Sequence, residues 1–319
     1  MGTDDTSNPA NDPPFTRNEA GDKRNVGVEI EFTGLKVGET ADLIVQRFGG
    51  AVVREGTYRV TIKNTQFGDF LVELDMQYAH ARGKGELERT VADAMGAVGE
   101  LFAPIEIVAP PIAYDRLPEL DRLVGDIRRA GAGGTGSAWF AAYGCHLNPE
   151  VAQTDAPYIT AHIKAYLVLS DWLRAGMKLD LARQITPFID PFPASYARTV
   201  TAPGYWPDMG KLINDYLDAN PTRNRELDML PLFAHLDPDR INAALDDERI
   251  KARPTFHYRL PNSRVDEPHW SVIREWNRWL SVERLAADRD RLDEACAAYT
   301  SFQDRLISFG WAREAERWA

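Results

Sequence analysis

An alternation of apolar and polar residues with a period of two, recurring in short runs from Asn25 onward, constrains this chain more than any other feature of its sequence. Successive side chains of an extended segment point to opposite sides, so each such run predicts a strand with an apolar back and a polar front. Val26–Thr33 (VGVEIEFT) sets Val28, Ile30 and Phe32 against Glu29 and Glu31. Thr57–Asn64 (TYRVTIKN) sets Tyr58, Val60 and Ile62 against Arg59 and Lys63, and Asp69–Asp75 (DFLVELD) sets Val72 and Leu74 against Glu73 and Asp75. A short turn containing Gly68 joins these two, which predicts a hairpin. Pro104–Pro110 places Glu106 opposite Ile105 and Ile107. Ala138–Leu147 places His146, with Asn148 beyond it, opposite Cys145 and Leu147, and Thr255–Leu260 places His257 and Arg259 opposite Phe256, Tyr258 and Leu260.

Segments of helical period separate these runs, so the fold class is α+β. Helices are predicted over Gly85–Phe102 and Leu117–Ala130, then from Asp155-Ala156-Pro157, an N-cap with proline in the first turn, to about Arg174. Further helices are predicted over Asp208–Ala219, Pro238–Lys251 and Pro268–Gly310, the last broken near Ser281. Phe188–Pro207, rich in proline and aromatic residues, reads as an irregular loop. Residues 1–24 carry Pro, Asn, Asp and Thr without apolar period and read as a solvated tail, leaving 25–319 as one domain.

Composition narrows the class. With 44% hydrophobic and 27% charged residues the chain is globular, and its net charge of −11 argues against nucleic acid or an anionic membrane as partner. No apolar run approaches the length of a membrane span, and two cysteines, Cys145 and Cys296, suit neither a disulfide framework nor a zinc ribbon. A cytoplasmic location is the expectation.

If the strands share one sheet, helices cover its apolar side and the other side collects Glu29, Glu31, Glu73, Glu106 and His146, with Arg59, Lys63 and Arg259 nearby. Carboxylates at i and i+2 lie about 7 Å apart on the pleat. Such a concentration repels itself unless protons or cations offset it, and hard divalent cations that bridge to phosphates take this donor set. A sheet with one face merely wetted gives the same alternation in any antiparallel protein, although Thr, Lys and Ser should then be as frequent as Glu.

The segments VGVEIEF, GDFLVELD, EIVAPP and GCHLNP, in that order, resemble the amidoligase family, a branch of the carboxylate-amine ligases with the glutamine synthetase and glutamate-cysteine ligase fold. The resemblance covers roughly Asn25 to Leu260. It implies a curved, mainly antiparallel sheet that binds ATP and Mg²⁺, and a reaction in which a small-molecule or peptide carboxylate is phosphorylated and then attacked by an amine. Carried over by motif, Glu29, Glu31, Glu73, Glu106 and His146 are the implied metal ligands, and His257 stands where related ligases place the glutamate of an E-x-R element. Arg259 is the implied phosphate contact, with Lys63 and Asn148 toward the nucleotide and Arg59, Lys63 or Arg259 stabilising the transferring phosphoryl group. Two other classes use the same residues: a metal-dependent hydrolase of amide or phosphoester bonds, and a nucleotide-binding module without turnover. Oligomeric state is not legible.

Several other features have plainer readings. Gly131 to Gly136 fits G-x-G-x-x-G, but a helix precedes it and a strand follows, the reverse of a dinucleotide fingerprint. Cys145 and His146 face opposite ways, so Cys145 belongs to the core. His162 reads as structural, and Trp270, Trp276 and Trp279 as helix packing. Arg198, Arg223 and Arg225 could each clamp a substrate carboxylate or simply be solvated or paired.

Overall fold

A computed structural model describes residues 9–56, 58–74, 104–135, 143–177, 189–305 and 310–319. The helix expected over Gly85–Phe102 and the start of the strand expected from Ala138 lie outside these residues. The chain divides into two compact units, where its sequence reads as one domain: Met1–Ala10 with Asn25–His146 and Pro261–Arg274, and Asn11–Arg24 with Leu147–Leu260 and Glu275–Ala319.

The first unit carries strands β1 (Asn25–Phe32), β2 (Ala51–Arg54), β3 (Arg59–Thr65), β4 (Gly68–Leu74) and β5 (Ile105–Ala113), and the first residues of β6 (Cys145–Pro149). Their order is β2-β3-β4-β5-β1-β6. The ladders from β2 through β1 are antiparallel, and β3 and β4 form the expected hairpin. Most of the apolar back predicted from the alternation is core, with Val28, Ile30, Phe32, Val60, Ile62, Val72, Ile105 and Ile107 buried together with Phe70, whereas Tyr58, just before β3, is exposed and Leu74, at the end of β4, is half-buried. Helix α1 (Val37–Phe48), which the period-two reading did not anticipate, packs on β3 and β4 and against α2 (Leu117–Arg129). It buries Val37, Ala41, Ile44 and Phe48, a stripe at helical spacing, and Glu39 accepts the Lys36 backbone N–H at its start. Proline opens α2, whose Leu120, Leu123, Val124 and Ile127 are buried.

The glycines after α2 turn and clamp the chain. Gly131 has φ +102°, Gly133 exchanges two 2.9 Å backbone bonds with Thr33, and a Cβ on Gly134 would lie 2.8 Å from Arg264 Cα. Steric need therefore accounts for glycine here.

In the second unit the strands are the end of β6, then β7 (Leu227–Asp228) and β8 (His257–Tyr258), in the order β6-β8-β7 with antiparallel pairing. Only two residues of the expected 255–260 strand hold regular pairing, with Thr255 making an isolated bridge to Glu150. The sheet is not strongly curled, which corrects the curvature implied by the resemblance.

Helices α3 (Ala156–Met177), α4 (Ala194–Thr201), α5 (Met209–Ala219), α6 (Leu230–Leu236), α7 (Pro238–Ala244), α8 (Val272–Ala287), α9 (Arg289–Gln303) and α10 (Trp311–Ala315) complete the described elements. Asp155 and Asp208 accept the N–H of Tyr158 and Lys211, as capping aspartates should. Three boundaries differ from expectation. The stretch read as an irregular loop contains α4, which buries Tyr196, Ala197 and Val200; α7 stops at Ala244; and the long C-terminal helix breaks at Asp288 rather than Ser281. Asp288 breaks it because its side chain accepts the Arg291 N–H and starts α9, whereas Ser281 is buried within α8.

Asn11–Arg24 of the expected tail belong to the second unit. Arg24 is buried and donates two 2.8 Å bonds to buried Glu283, Asn18 bonds Glu150, Glu19 accepts from Thr154, and the Trp276 indole donates to the Asn11 carbonyl. Compositional polarity hid these partners, which are distant in sequence.

Candidate metal centre

Register converts the alternating glutamates into a site. Across the first unit's sheet Arg59 of β3 stands opposite Glu73 of β4, Glu73 opposite Glu106 of β5, and Glu106 opposite Glu31 of β1. One row thus carries a cation and three carboxylates on consecutive strands. Opposed like charges on neighbouring strands destabilise a sheet, so the row needs positive charge. Arg59 supplies it at one end, donating to Glu73 at 2.8 Å and to Glu55 at 3.0 Å.

At the other end Glu31 is almost fully buried, and its Oε2 accepts the Gly144 backbone N–H at 2.8 Å. His146, two residues further, approaches from β6. Its Nδ1 lies 2.9 Å from Glu29 Oε2, and its Nε2 lies 4.0 Å from Glu31 Oε1. One ligand atom each from Glu31, Glu106 and His146 fall within 4.8 Å of one another. Divalent cations bind oxygen and imidazole nitrogen at about 2.0–2.6 Å, so three donors this close can share one ion. Glu29 takes a different part. A proton on His146 Nδ1 given to Glu29 leaves the Nε2 lone pair for an ion, the arrangement by which a carboxylate orients a metal-binding imidazole.

The other predicted residues have partners of their own. Glu73 lies in the row but spends its charge on Arg59. Lys63 is exposed toward the turn of the hairpin and pairs with Asp69 at 2.7 Å. Asn148, His257 and Arg259 belong to the second unit. There Asn148 accepts from Arg253 at 2.7 Å, His257 Nδ1 lies 3.2 Å from Asp228 Oδ2, and Arg259 donates through Nη1 to the Arg223 carbonyl and through its backbone N–H to the Glu226 carbonyl.

Two buried carboxylates of the second unit were not anticipated. Asp228 holds His257 and accepts the Leu230 N–H, while Glu226 binds Arg174 and the Tyr166 hydroxyl. Neither sits in an alternating run, so only burial reveals them. Most decoys resolve as expected: Cys145, Trp276 and Trp279 are buried, the two tryptophans on α8, and His162 lies against the rings of Tyr158 and Phe256 with Nδ1 at the Tyr158 carbonyl, whereas Trp270 is buried but precedes the helix.

A family model described as "Putative amidoligase enzyme" matches residues 22–281, most of the chain. The chain belongs to this amidoligase family. No curated protein matches it. Membership as an amidoligase covers both the row of glutamates and the second-unit strand β8. Among the described residues no helix is long and apolar enough to cross a membrane.

Proposed function

We propose that this amidoligase is an ATP- and Mg²⁺-dependent carboxylate-amine ligase that joins its substrates through an acyl phosphate. The observation that carries this reading is the convergence of Glu31, Glu106 and His146 on one point of the polar sheet face, at the anionic end of a register row. Two carboxylates and an imidazole suit a hard divalent cation, which when bound would neutralise and orient phosphate oxygens. On this reading Glu31, fixed by the Gly144 N–H, and Glu106 offer oxygen donors, and His146 offers Nε2 while Glu29 holds its ring. Arg59 shields Glu73, which limits repulsion along the row. Arg259 is assigned to a phosphate oxygen by the family motif. Asn148 and Lys63 keep their implied nucleotide role and His257 its implied ligand role, as parts of the same proposal. The acceptor is an amine, and the donor a small-molecule or peptide carboxylate.

The test is incubation of the full chain with ATP, Mg²⁺, pooled carboxylates and hydroxylamine, with ADP and hydroxamate as readouts. Hydroxamate formation that depends on both ATP and a carboxylate, and falls to the blank in Glu31→Gln, is expected. Cleavage of amides or phosphoesters without ADP would replace the ligase with a hydrolase, and undiminished turnover in Glu31→Gln would remove Glu31 from the site.

A further inference from the structure

The glycine-rich turn after α2, which is no dinucleotide fingerprint, touches the flanks of both strands that carry the candidate ligands. Gly133 exchanges its two backbone bonds with Thr33, two residues beyond Glu31. Thr135, two residues further along the turn, reaches Tyr143, the neighbour of the Gly144 that holds Glu31. All of these residues belong to the first unit.

A hydroxyl carries one proton and two lone pairs, so it can serve a backbone donor and a backbone acceptor at once. Thr135 Oγ1 does so for a single residue. It accepts the Tyr143 N–H at 2.9 Å and donates to the Tyr143 carbonyl at 2.8 Å, with both residues buried. The segment after β8 closes the knot: the Thr135 N–H donates to the Ser263 carbonyl at 2.7 Å, and the Ser263 N–H donates to the Tyr143 carbonyl at 2.8 Å. The Tyr143 hydroxyl is in turn hydrogen-bonded to the Thr33 side chain. Tyr143 is thereby held at its N–H, its carbonyl and its ring.

A peptide bond is planar, which carries this restraint to the metal centre. The Tyr143 carbonyl and the Gly144 N–H lie at opposite ends of one peptide plane, so fixing the first fixes the direction of the second. That N–H donates to Glu31 Oε2 at 2.8 Å, while the Gly144 carbonyl accepts the Glu31 N–H at 2.9 Å. Glu31 Oε1 is the oxygen 4.0 Å from His146 Nε2.

We propose that Thr135 is a positioning residue of the candidate metal centre: its hydroxyl orients the Tyr143–Gly144 peptide, which holds Glu31 Oε2 and presents Oε1 beside His146 to a divalent cation. The proposal rests on the metal-site reading of the ligase, and groups that orient a ligand in this way typically contribute about 10–100-fold to metal affinity.

Mn²⁺ titration of the full chain, followed by electron paramagnetic resonance, tests it without turnover. Thr135→Val, which keeps the shape and removes the hydroxyl, should weaken Mn²⁺ binding about tenfold or more. Thr135→Ser, which keeps the hydroxyl, should bind as the unaltered protein does. Ile44→Val, a buried change in α1, should lower stability and leave Mn²⁺ affinity unchanged. A second measurement uses metal-free protein with isotope-labelled glycine: hydrogen exchange at the Gly144 amide should be faster in Thr135→Val and restored in Thr135→Ser. Unchanged Mn²⁺ affinity in Thr135→Val, equal loss in Thr135→Ser or in Ile44→Val, or unchanged Gly144 exchange would each overturn the proposal and leave the ligase reading standing. Absence of Mn²⁺ binding to the unaltered protein would overturn both. Affinity that responds to Thr135→Val as expected, with no hydroxamate formed from ATP and a carboxylate, would uphold the positioning role and sink the ligase reading alone.

Discussion

Glu29 and Glu31 are two residues apart on one face of β1, yet their nearest partners differ. Glu31 faces Glu106 and His146 as a candidate ligand, and Glu29 holds the imidazole by its Nδ1. Mn²⁺ titration followed by electron paramagnetic resonance should therefore separate them: Glu31→Gln loses the site, and Glu29→Gln weakens it by roughly 10–100-fold. Equal loss in both would make Glu29 a direct ligand. His162 makes a residue-scale prediction of another kind. Burial pushes its pKa down to about 4 from an ordinary 6.5, with the Glu283 charge opposing. Between those values the unfolded chain takes up a proton that the folded chain refuses, so stability is complete above pH 6.5 and is lost as pH falls toward 4. At about 1.4 kcal/mol per pH unit of separation the loss is about 3 kcal/mol. Denaturant unfolding of His162→Phe across that window should lack this component, and a slope identical to that of the unaltered protein would refute the assignment.

At the scale of elements, the ladder from β3 to β1 aligns Glu73, Glu106 and Glu31. Their alternation within each strand is legible in sequence because the pleat fixes which side a residue takes. Their alignment is not, since register depends on which residues of separate strands pair, and a slip of one residue would send each glutamate to the core. The aligned charges predict a change of sign. Without divalent cation Glu106→Gln should stabilise the protein by roughly 0.2–1 kcal/mol, because an opposed like charge is removed. With excess Mg²⁺ the unaltered protein should become the more stable, by linkage to the bound ion. Thermal unfolding with and without Mg²⁺ measures both, and Glu106→Gln less stable in both conditions would mean that the row is not under electrostatic stress. The same physics explains why α1 and α4 escaped a reading that followed strands and prolines: their apolar stripes become visible only against the surface they bury.

For the whole molecule, the first two dozen residues look in isolation like a chain too polar to fold, yet Arg24 and Glu283 form a fully buried pair within the second unit. Breaking a buried pair by removing one partner costs about 3–5 kcal/mol, so a chain beginning at Asn25 should be destabilised by at least that much in urea. A disposable tail would cost nothing. The family, the α+β class and the shared polar side of Glu29 and Glu31 on β1 were written in the order of the residues, because a period of two and short motifs are local properties. Which glutamates meet, that Glu29 reaches His146, that Glu73 pairs with Arg59, and that Asp228 holds His257 were decided only when distant segments paired and packed. Electrostatic interaction depends on separation in space, and separation along the chain does not determine it.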